Sequence, residues 1–453
     1  MAAPNTFEEL GLSIVGLGVK YPPHELEASA IDILSEKFYP QSPAMTKVCS
    51  INRYTGIDRR SSIGTPDHPV VNQEKPPSIK QLHDVYVSDG IPLAIAAAQK
   101  AIKESHIDLR EITHVVSTTC TDSANPGFDH FVVKGLGITH TVEKVLLHGV
   151  GCSGGLAVLR TAANLALGHA ARGKPARILC VALEISTTMV RSELESIHNL
   201  QETRIGVALF SDCASAVVLS NGIGARRGSP VYELLGWEHT VIPDTEKDLG
   251  FDVDPQGWKV VLTPRVPQLT GAIIGPTFTD LLSSLPSLPL EYQEAPDFDW
   301  AMHPGGATVL SGAEKAMGIS PEHMRASYST YITHGNSSSA TIFSVLDKLR
   351  SPEMDELAPG GRVKEYVVGC AFGPGITVEM CMLKRNLALG GQGVGISGLQ
   401  TPPETESEGT RSEVDDGEIV DGVAGPSDEA VADLRLGEDD VFIAEALENL
   451  ELD

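Results

Sequence analysis

Short apolar runs rich in β-branched residues alternate with helix-period stretches along most of the chain. Leu12 to Val19, Val115 to Thr119, Val145 to Val150 and Ile178 to Leu183 predict buried strands, each a brief, nearly continuous apolar run. Between them, Ile91 to Lys103 and Leu156 to Ala171 predict helices. In the second, Leu156, Leu159, Ala163, Leu167 and Ala170 recur at spacings of three and four, and Gly173 then Pro175 stop it. A second series follows: Val231 to Leu235, Trp300 to His303 and Tyr366 to Phe372 as strands, with Gly271 to Leu282, a segment from Thr308 and Ser338 to Leu349 as helices. Such alternation predicts an α/β fold in two comparable halves, residues 1–225 and 226–388.

From about Gly390 the apolar period stops, and residues 389–453 form an acidic tail expected to be disordered. Within it, 401–453 hold 18 Asp and Glu against two Arg, although Val441 to Leu452 keeps enough period for a short amphipathic helix. The tail changes how the net charge of -26 is read. The body before it is only mildly acidic and can offer cations to an anionic substrate, while the overall balance argues against nucleic acid as partner. The seven cysteines are odd in number and widely spaced without a CxxC pair, so neither a disulfide framework nor a zinc site is expected. With no basic and apolar leader before Asn5 and no run of about 18 apolar residues, the expectation is a reduced, cytoplasmic protein without a membrane span.

Candidate chemistry concentrates in three places. His148-Gly149-Val150-Gly151-Cys152-Ser153-Gly154-Gly155 sets a thiol between glycines where a strand turns into a helix. No packing reason for these glycines is visible in the sequence, and helix N-termini favour thiolate over thiol, so Cys152 is the candidate nucleophile. Cys120, Cys180, Cys213 and Cys370 sit in apolar or small-residue runs and read as core. His303 ends an apolar strand just before Pro304-Gly305-Gly306, where an imidazole reaches a close-approach loop. Asn336, in HGNSSSAT, reads on its own as a turn asparagine.

Together, GVGCSGGLAVLR around Cys152, MHPGG around His303, HGNSSSAT around Asn336 and AFGPGITVE from Ala371 resemble, in order and spacing, the four signature segments of the chalcone synthase-like family, the type III polyketide synthases. The resemblance covers roughly residues 10 to 385. It implies the thiolase-like fold, two related α/β halves forming a five-layer αβαβα core, and a homodimer. It also implies a catalytic set of Cys152, His303 and Asn336. Phe210 matches the family's gatekeeper, and the second gatekeeper falls near Val260. Met189, Gly250, Ser338, Phe372, Gly373 and Pro374 fall at substrate-binding positions. Lys47, Gly305 and Gly306 fall where CoA binds; two other family cations align with Ser50 and Tyr54, so Arg53, Arg59 or Arg60 is expected to compensate. Ala371 departs from the family's GFGPG loop, and the region Gly250 to Pro267 looks microbial, which turns the expected product away from plant-type flavonoids.

The resemblance implies a mechanism. The Cys152 thiolate, held by imidazolium His303, takes an acyl group from a starter acyl-CoA; His303 and Asn336 then donate hydrogen bonds to the enolate formed as malonyl-CoA loses CO2. The enolate carbon attacks the acyl-thioester, and further rounds precede cyclisation. A fatty acyl starter and alkyl pyrone or alkyl resorcinol products are expected, with CoA thioesters as substrates and no metal or other cofactor. Three alternatives remain at this point: a β-ketoacyl synthase III-like enzyme of fatty acid synthesis, a papain-type hydrolase, and a non-enzymatic scaffold.

Overall fold

A computed structural model describes residues 9–224, 230–254 and 257–389. The acidic tail, with its segment Val441 to Leu452, lies outside the described residues.

The strands are β1 (Leu12–Lys20), β2 (His24–Leu26), β3 (Arg60–Ser62), β4 (His114–Thr118), β5 (Glu143–Leu147), β6 (Arg177–Glu184), β7 (Cys213–Ser220), β8 (Tyr232–Val241), β9 (Leu249–Asp254), β10 (Gly257–Leu262), β11 (Asp299–Met302), β12 (Tyr366–Gly373) and β13 (Thr377–Arg385). Nine of them hydrogen-bond in the order β11-β12-β13-β8-β1-β7-β6-β4-β5. β5, β4 and β6 run parallel, as do β11 and β12, while β7 and β13 are antiparallel to both neighbours. Each half therefore repeats one plan, with its last strand inserted beside its first. The halves join where Leu12 to Ile14 of β1 pair with Tyr232 to Leu234 of β8.

Two helices, Gly154–Ala170 and Thr341–Leu349, pack between the halves: the first touches β4, β6 and β7 on one side and β12 and β13 on the other, and the second touches β1, β7 and β11. Ile91–Ser105 covers β1, β6 and β7 from outside, and Val266–Ser284 covers β8 and β13. The result is the thiolase-like five-layer arrangement, α, β, α, β, α. Leu156, Leu159, Ala163 and Ala166 of the first central helix and Ile342, Phe343, Val345 and Leu346 of the second form one apolar core with Val116, Ile178 and Val367. Burying a large aliphatic or aromatic side chain of this kind contributes about 1.5–3 kcal/mol. That explains why the layer inaccessible to water on both sides is the most continuously apolar.

The glycines before this helix do have a packing reason, contrary to the sequence reading. A Cβ on Gly155 would stand 2.6 Å from the Ser339 carbonyl oxygen, and one on Gly154 would stand 2.7 Å from Thr118 Oγ1. The two central helix starts approach so closely that only hydrogen fits between them.

Candidate active site

Cys152 occupies a single 3-10 turn, Gly151–Ser153, between the end of β5 and the helix Gly154–Ala170. Gly151 takes φ +46°, and a Cβ there would stand 2.6 Å from Pro374 Cδ. A Cβ on Gly373 would likewise meet the Val150 carbonyl oxygen at 2.6 Å. The glycine-proline loop after β12 is therefore seated directly on the nucleophile turn, and Gly373 serves that contact rather than lining a cavity.

His303 follows β11 and is tied to β12 by its N–H, which donates to the Cys370 carbonyl at 2.8 Å. Its imidazole is buried, and neither ring nitrogen has a hydrogen-bond partner. Asn336 lies beyond the helix Arg325–His334 and is bridged to the Phe210 strand segment: its N–H donates to the Leu209 carbonyl at 3.1 Å, and its carbonyl accepts from the Ser211 N–H at 2.9 Å. Its side-chain amide donates to the Gly305 carbonyl at 3.1 Å and accepts from the Ser338 N–H at 2.8 Å. Cys152, His303 and Asn336 all line one cavity, with Phe210, Gly305, Gly306 and Phe372. The asparagine that reads alone as a turn residue is thus bolted in place from both ends.

Burial pushes the Cys152 thiol up to about 11, with the charge of Glu184 adding to the rise and hydrogen bonds from Ser338 and Asn336 opposing it. Burial alone holds the His303 imidazole down to about 3. Burial thus works against both the thiolate and the imidazolium in the free protein.

Two groups escaped the sequence reading. Ser338 Oγ stands 3.4 Å from Cys152 Sγ and also 3.4 Å from Cys120 Sγ, so Cys120 belongs to the site and is no ordinary core cysteine. Behind them Glu184, fully buried at the end of β6, accepts from the Cys120 N–H at 3.1 Å, the Thr121 hydroxyl at 2.9 Å and the Ser339 hydroxyl. Burial raises its pKa, and those hydrogen bonds oppose the rise. An acid closing an otherwise apolar strand, RILCVALE, was the signal available. Cys180, Cys213 and Cys370 are fully buried, as the sequence indicates.

A second cavity meets the first at Cys152, Phe210, Leu249 and Val260, the residues that line both. It runs past Met189, Gly250, Ser338 and Pro374 to Ala30, Ile31, Leu34, Val70 and Val71. The two enclose about 1180 and 1020 Å3 of empty space, partly open to solvent. Phe210 and Val260 are thus at the junction, where gatekeepers are expected.

Neither Lys47 nor Arg53, expected as CoA cations, lines a cavity. Lys47, half-buried on the helix Pro43–Arg53, precedes by one turn Ile51, which lines the cavity of His303. Arg53 lines neither cavity; it is largely exposed and paired with Asp32 at 3.0 Å. Helical spacing puts Arg53 on a different face from Lys47. Among the described residues, no helix is long and apolar enough to cross a membrane.

Residues 44–223 match the family description "Chalcone and stilbene synthases, N-terminal domain", and residues 233–387 match its C-terminal counterpart. The type III polyketide synthase pspB of Penicillium soppii is 40% identical over 395 residues, covering 83% of this chain and 96% of that protein. The acylalkylpyrone synthase csyB of Aspergillus oryzae is 40% identical over 378 residues, covering 83% and 94%. Its crystal structure complexed with CoA-SH superimposes with a TM-score of 0.79, covering 83% of this chain and all of that one. A type III pentaketide synthase from Neurospora crassa is 71% identical with a TM-score of 0.82, at 83% and 100% coverage. With both domains matched and the fold shared along the whole body, the chain belongs to the chalcone and stilbene synthase family, as a type III polyketide synthase and hence an acyltransferase.

Proposed function

We propose that this enzyme transfers a fatty acyl group from CoA to Cys152 and extends it with malonyl-CoA to a cyclised alkyl pyrone or alkyl resorcinol. The observation that carries this reading is the meeting of two largely apolar cavities at one thiol, only one of which holds His303 and Asn336. On one side lie His303, Asn336 and the Gly305-Gly306 turn, with Lys47 one helical turn from Ile51 on the wall. That side suits the thioester and its CoA; the csyB structure holds CoA-SH. On the other side the wall is aliphatic, from Ala30, Ile31 and Leu34 to Val70, Val71, Val190 and Val207, and it suits an alkyl tail.

In this reading the Cys152 sulfur attacks the acyl-CoA carbonyl while its proton passes to His303, and CoA leaves as the thiol. Malonyl-CoA follows. Its carboxylate departs as CO2, and the electron pair left behind becomes an enolate whose oxygen accepts hydrogen bonds from Asn336 Nδ2 and from His303. The enolate carbon then forms the new C–C bond with the acyl carbonyl, and the sulfur of Cys152 leaves. The buried site keeps water from competing for the enolate. Malonyl-CoA and acyl-CoA are the partners in this reading, a homodimer is the working assembly and the cytoplasm its place. The roles of Cys152, His303 and Asn336, and the absence of any cofactor need, belong to the same proposal. A ketoacyl synthase of fatty acid synthesis would use the same three side chains, but the relatives here are polyketide synthases.

The test is a series of acyl-CoA starters from two to eighteen carbons with labelled malonyl-CoA, on the parent and on Ala30→Trp, products resolved by mass. Ala30 is buried in the aliphatic wall. The variant should keep short starters and lose long ones by tenfold or more in kcat/KM. Equal loss for all starters, or none, would remove the alkyl tail from that cavity.

A further inference from the structure

His114, Glu143 and His169 bring three ligand atoms within 4.8 Å of one another. His114 opens β4, Glu143 is its register partner at the start of β5, and His169 lies in the last turn of the helix Gly154–Ala170. None of them lines either cavity.

The surrounding oxygens suit a proton on each Nδ1. Thr113 Oγ1 lies 2.8 Å from His114 Nδ1. That hydroxyl can donate to the Arg177 carbonyl at 3.1 Å and accepts from the Arg177 N–H at 3.0 Å, an arrangement that suits an N–H at His114 Nδ1. His169 Nδ1 lies 3.1 Å from the Pro175 carbonyl oxygen, which can only accept. A neutral ring with its proton on Nδ1 presents a lone pair at Nε2. His114 Nε2 stands 3.8 Å from Glu143 Oε2, and the two rings meet edge to face with centroids 4.7 Å apart. Burial lowers the His114 pKa, with Glu143 opposing and His169 adding to the fall.

Two imidazoles and a carboxylate thus converge, with an oxygen beside each Nδ1. Imidazoles whose Nδ1–H is committed to an oxygen, leaving Nε2 to project, are the form in which histidine ligates metal. We propose that His114, Glu143 and His169 bind a divalent transition metal ion, Zn2+ by preference for two imidazoles and one carboxylate, with water as the fourth ligand. The ion fastens β5 and β4 to the far end of the helix that follows the Cys152 turn. Its role is structural and separate from the chemistry at the thiol.

The test uses the untagged full chain carrying Cys152→Ala, so that the active-site thiol does not compete for metal. ZnCl2 is titrated by calorimetry at pH 7.5, with MgCl2 as the oxygen-preferring control, beside the same protein carrying His169→Ala or Glu143→Gln. His169 and Glu143 are both solvent-accessible, so these variants fold. The expected result is one Zn2+ per chain and a raised melting temperature, with affinity weakened on the order of tenfold or more in either variant and no response to Mg2+. Equal zinc binding in parent and variants would overturn the proposal. So would an absence of binding together with a melting temperature that rises from pH 8 to pH 6 in the parent but not in Glu143→Gln, because the cluster would then be a protonated ion pair.

Discussion

Replacing Asn336 with Ala separates the two halves of the chemistry. In the parent, one amide N–H is committed to the Gly305 carbonyl and the amide oxygen to the Ser338 N–H, while the side chain also hydrogen-bonds toward the Cys152 thiol. Loss of one donor to a developing oxyanion costs about 2.7–4 kcal/mol, or roughly 100- to 1000-fold in rate. Loss of the amide also strands a buried N–H at Ser338 and a carbonyl at Gly305, each at about 1–3 kcal/mol of stability. The backbone of residue 336 keeps its bonds to Leu209 and Ser211, so Phe210 stays in place. Three assays follow: CO2 release from malonyl-CoA without a starter, single-turnover acyl labelling of Cys152, and thermal melting. Decarboxylation should fall by two to three orders of magnitude, labelling by less than about tenfold, and the melting temperature by several degrees. Decarboxylation within a few-fold of the parent, or labelling lost to the same extent, would refute the role of the amide as enolate donor.

Because burial pushes the Cys152 thiol up to about 11, its alkylation by iodoacetamide should accelerate steadily from pH 7 to pH 10, and Ser338→Ala should slow it at any fixed pH; a plateau below pH 7 would reveal a resting thiolate instead. His303 is held neutral to about pH 3, below the usual imidazole range, so its folded form binds fewer protons than the unfolded chain. Stability should therefore fall as pH drops from about 6.5, by up to about 1.36 kcal/mol per pH unit from this group, and His303→Gln should flatten that fall in a melting series. Gly155→Ala forces a methyl against the Ser339 carbonyl and should cost about 1–3 kcal/mol in denaturant unfolding; an unchanged midpoint would mean that the central helices are free to separate. Val260→Trp fills the junction shared by both cavities and should permit acylation by acetyl-CoA while blocking long acyl groups, read by labelled-acyl transfer.

The elements that read correctly from sequence are those whose periodicity is enforced by burial. Leu12–Lys20, Ile91–Ser105, Gly154–Ala170 and Arg177–Glu184 fall within a few residues of expectation, since each packs an apolar face or run against a neighbouring layer. Others were illegible for physical reasons. Cys213–Ser220 is buried on every residue, and its small residues show no alternation. Tyr232–Val241 continues past Leu235 because its polar Glu238 and His239 pair across to β13, where a register shift follows Met382. The stretch Ser338 to Leu349 begins as a 3-10 turn, with Ser338 at φ +47°, and becomes helix at Thr341. Within the site, Cys152 and His303 stood out because glycines mark close approach in the chain itself, whereas Asn336 read as a turn residue until the resemblance joined it to them. Ala30, Ile31, Leu34, Val70 and Val71 did not, because a cavity wall assembled from distant segments has the same local pattern as core. Sequence places Lys47 and Arg53 near the site without saying which helix face each takes; neither lines a cavity, and Arg53 pairs with Asp32.

The most direct test of the central claim is intact-protein mass spectrometry of the native enzyme and Cys152→Ala, incubated with a long-chain acyl-CoA and then with malonyl-CoA. The account predicts a mass gain of one acyl group on the native protein alone, mapped to Cys152, and its discharge on adding malonyl-CoA as a cyclised product appears. An acyl adduct that persists in Cys152→Ala, or one that malonyl-CoA leaves untouched, would contradict it.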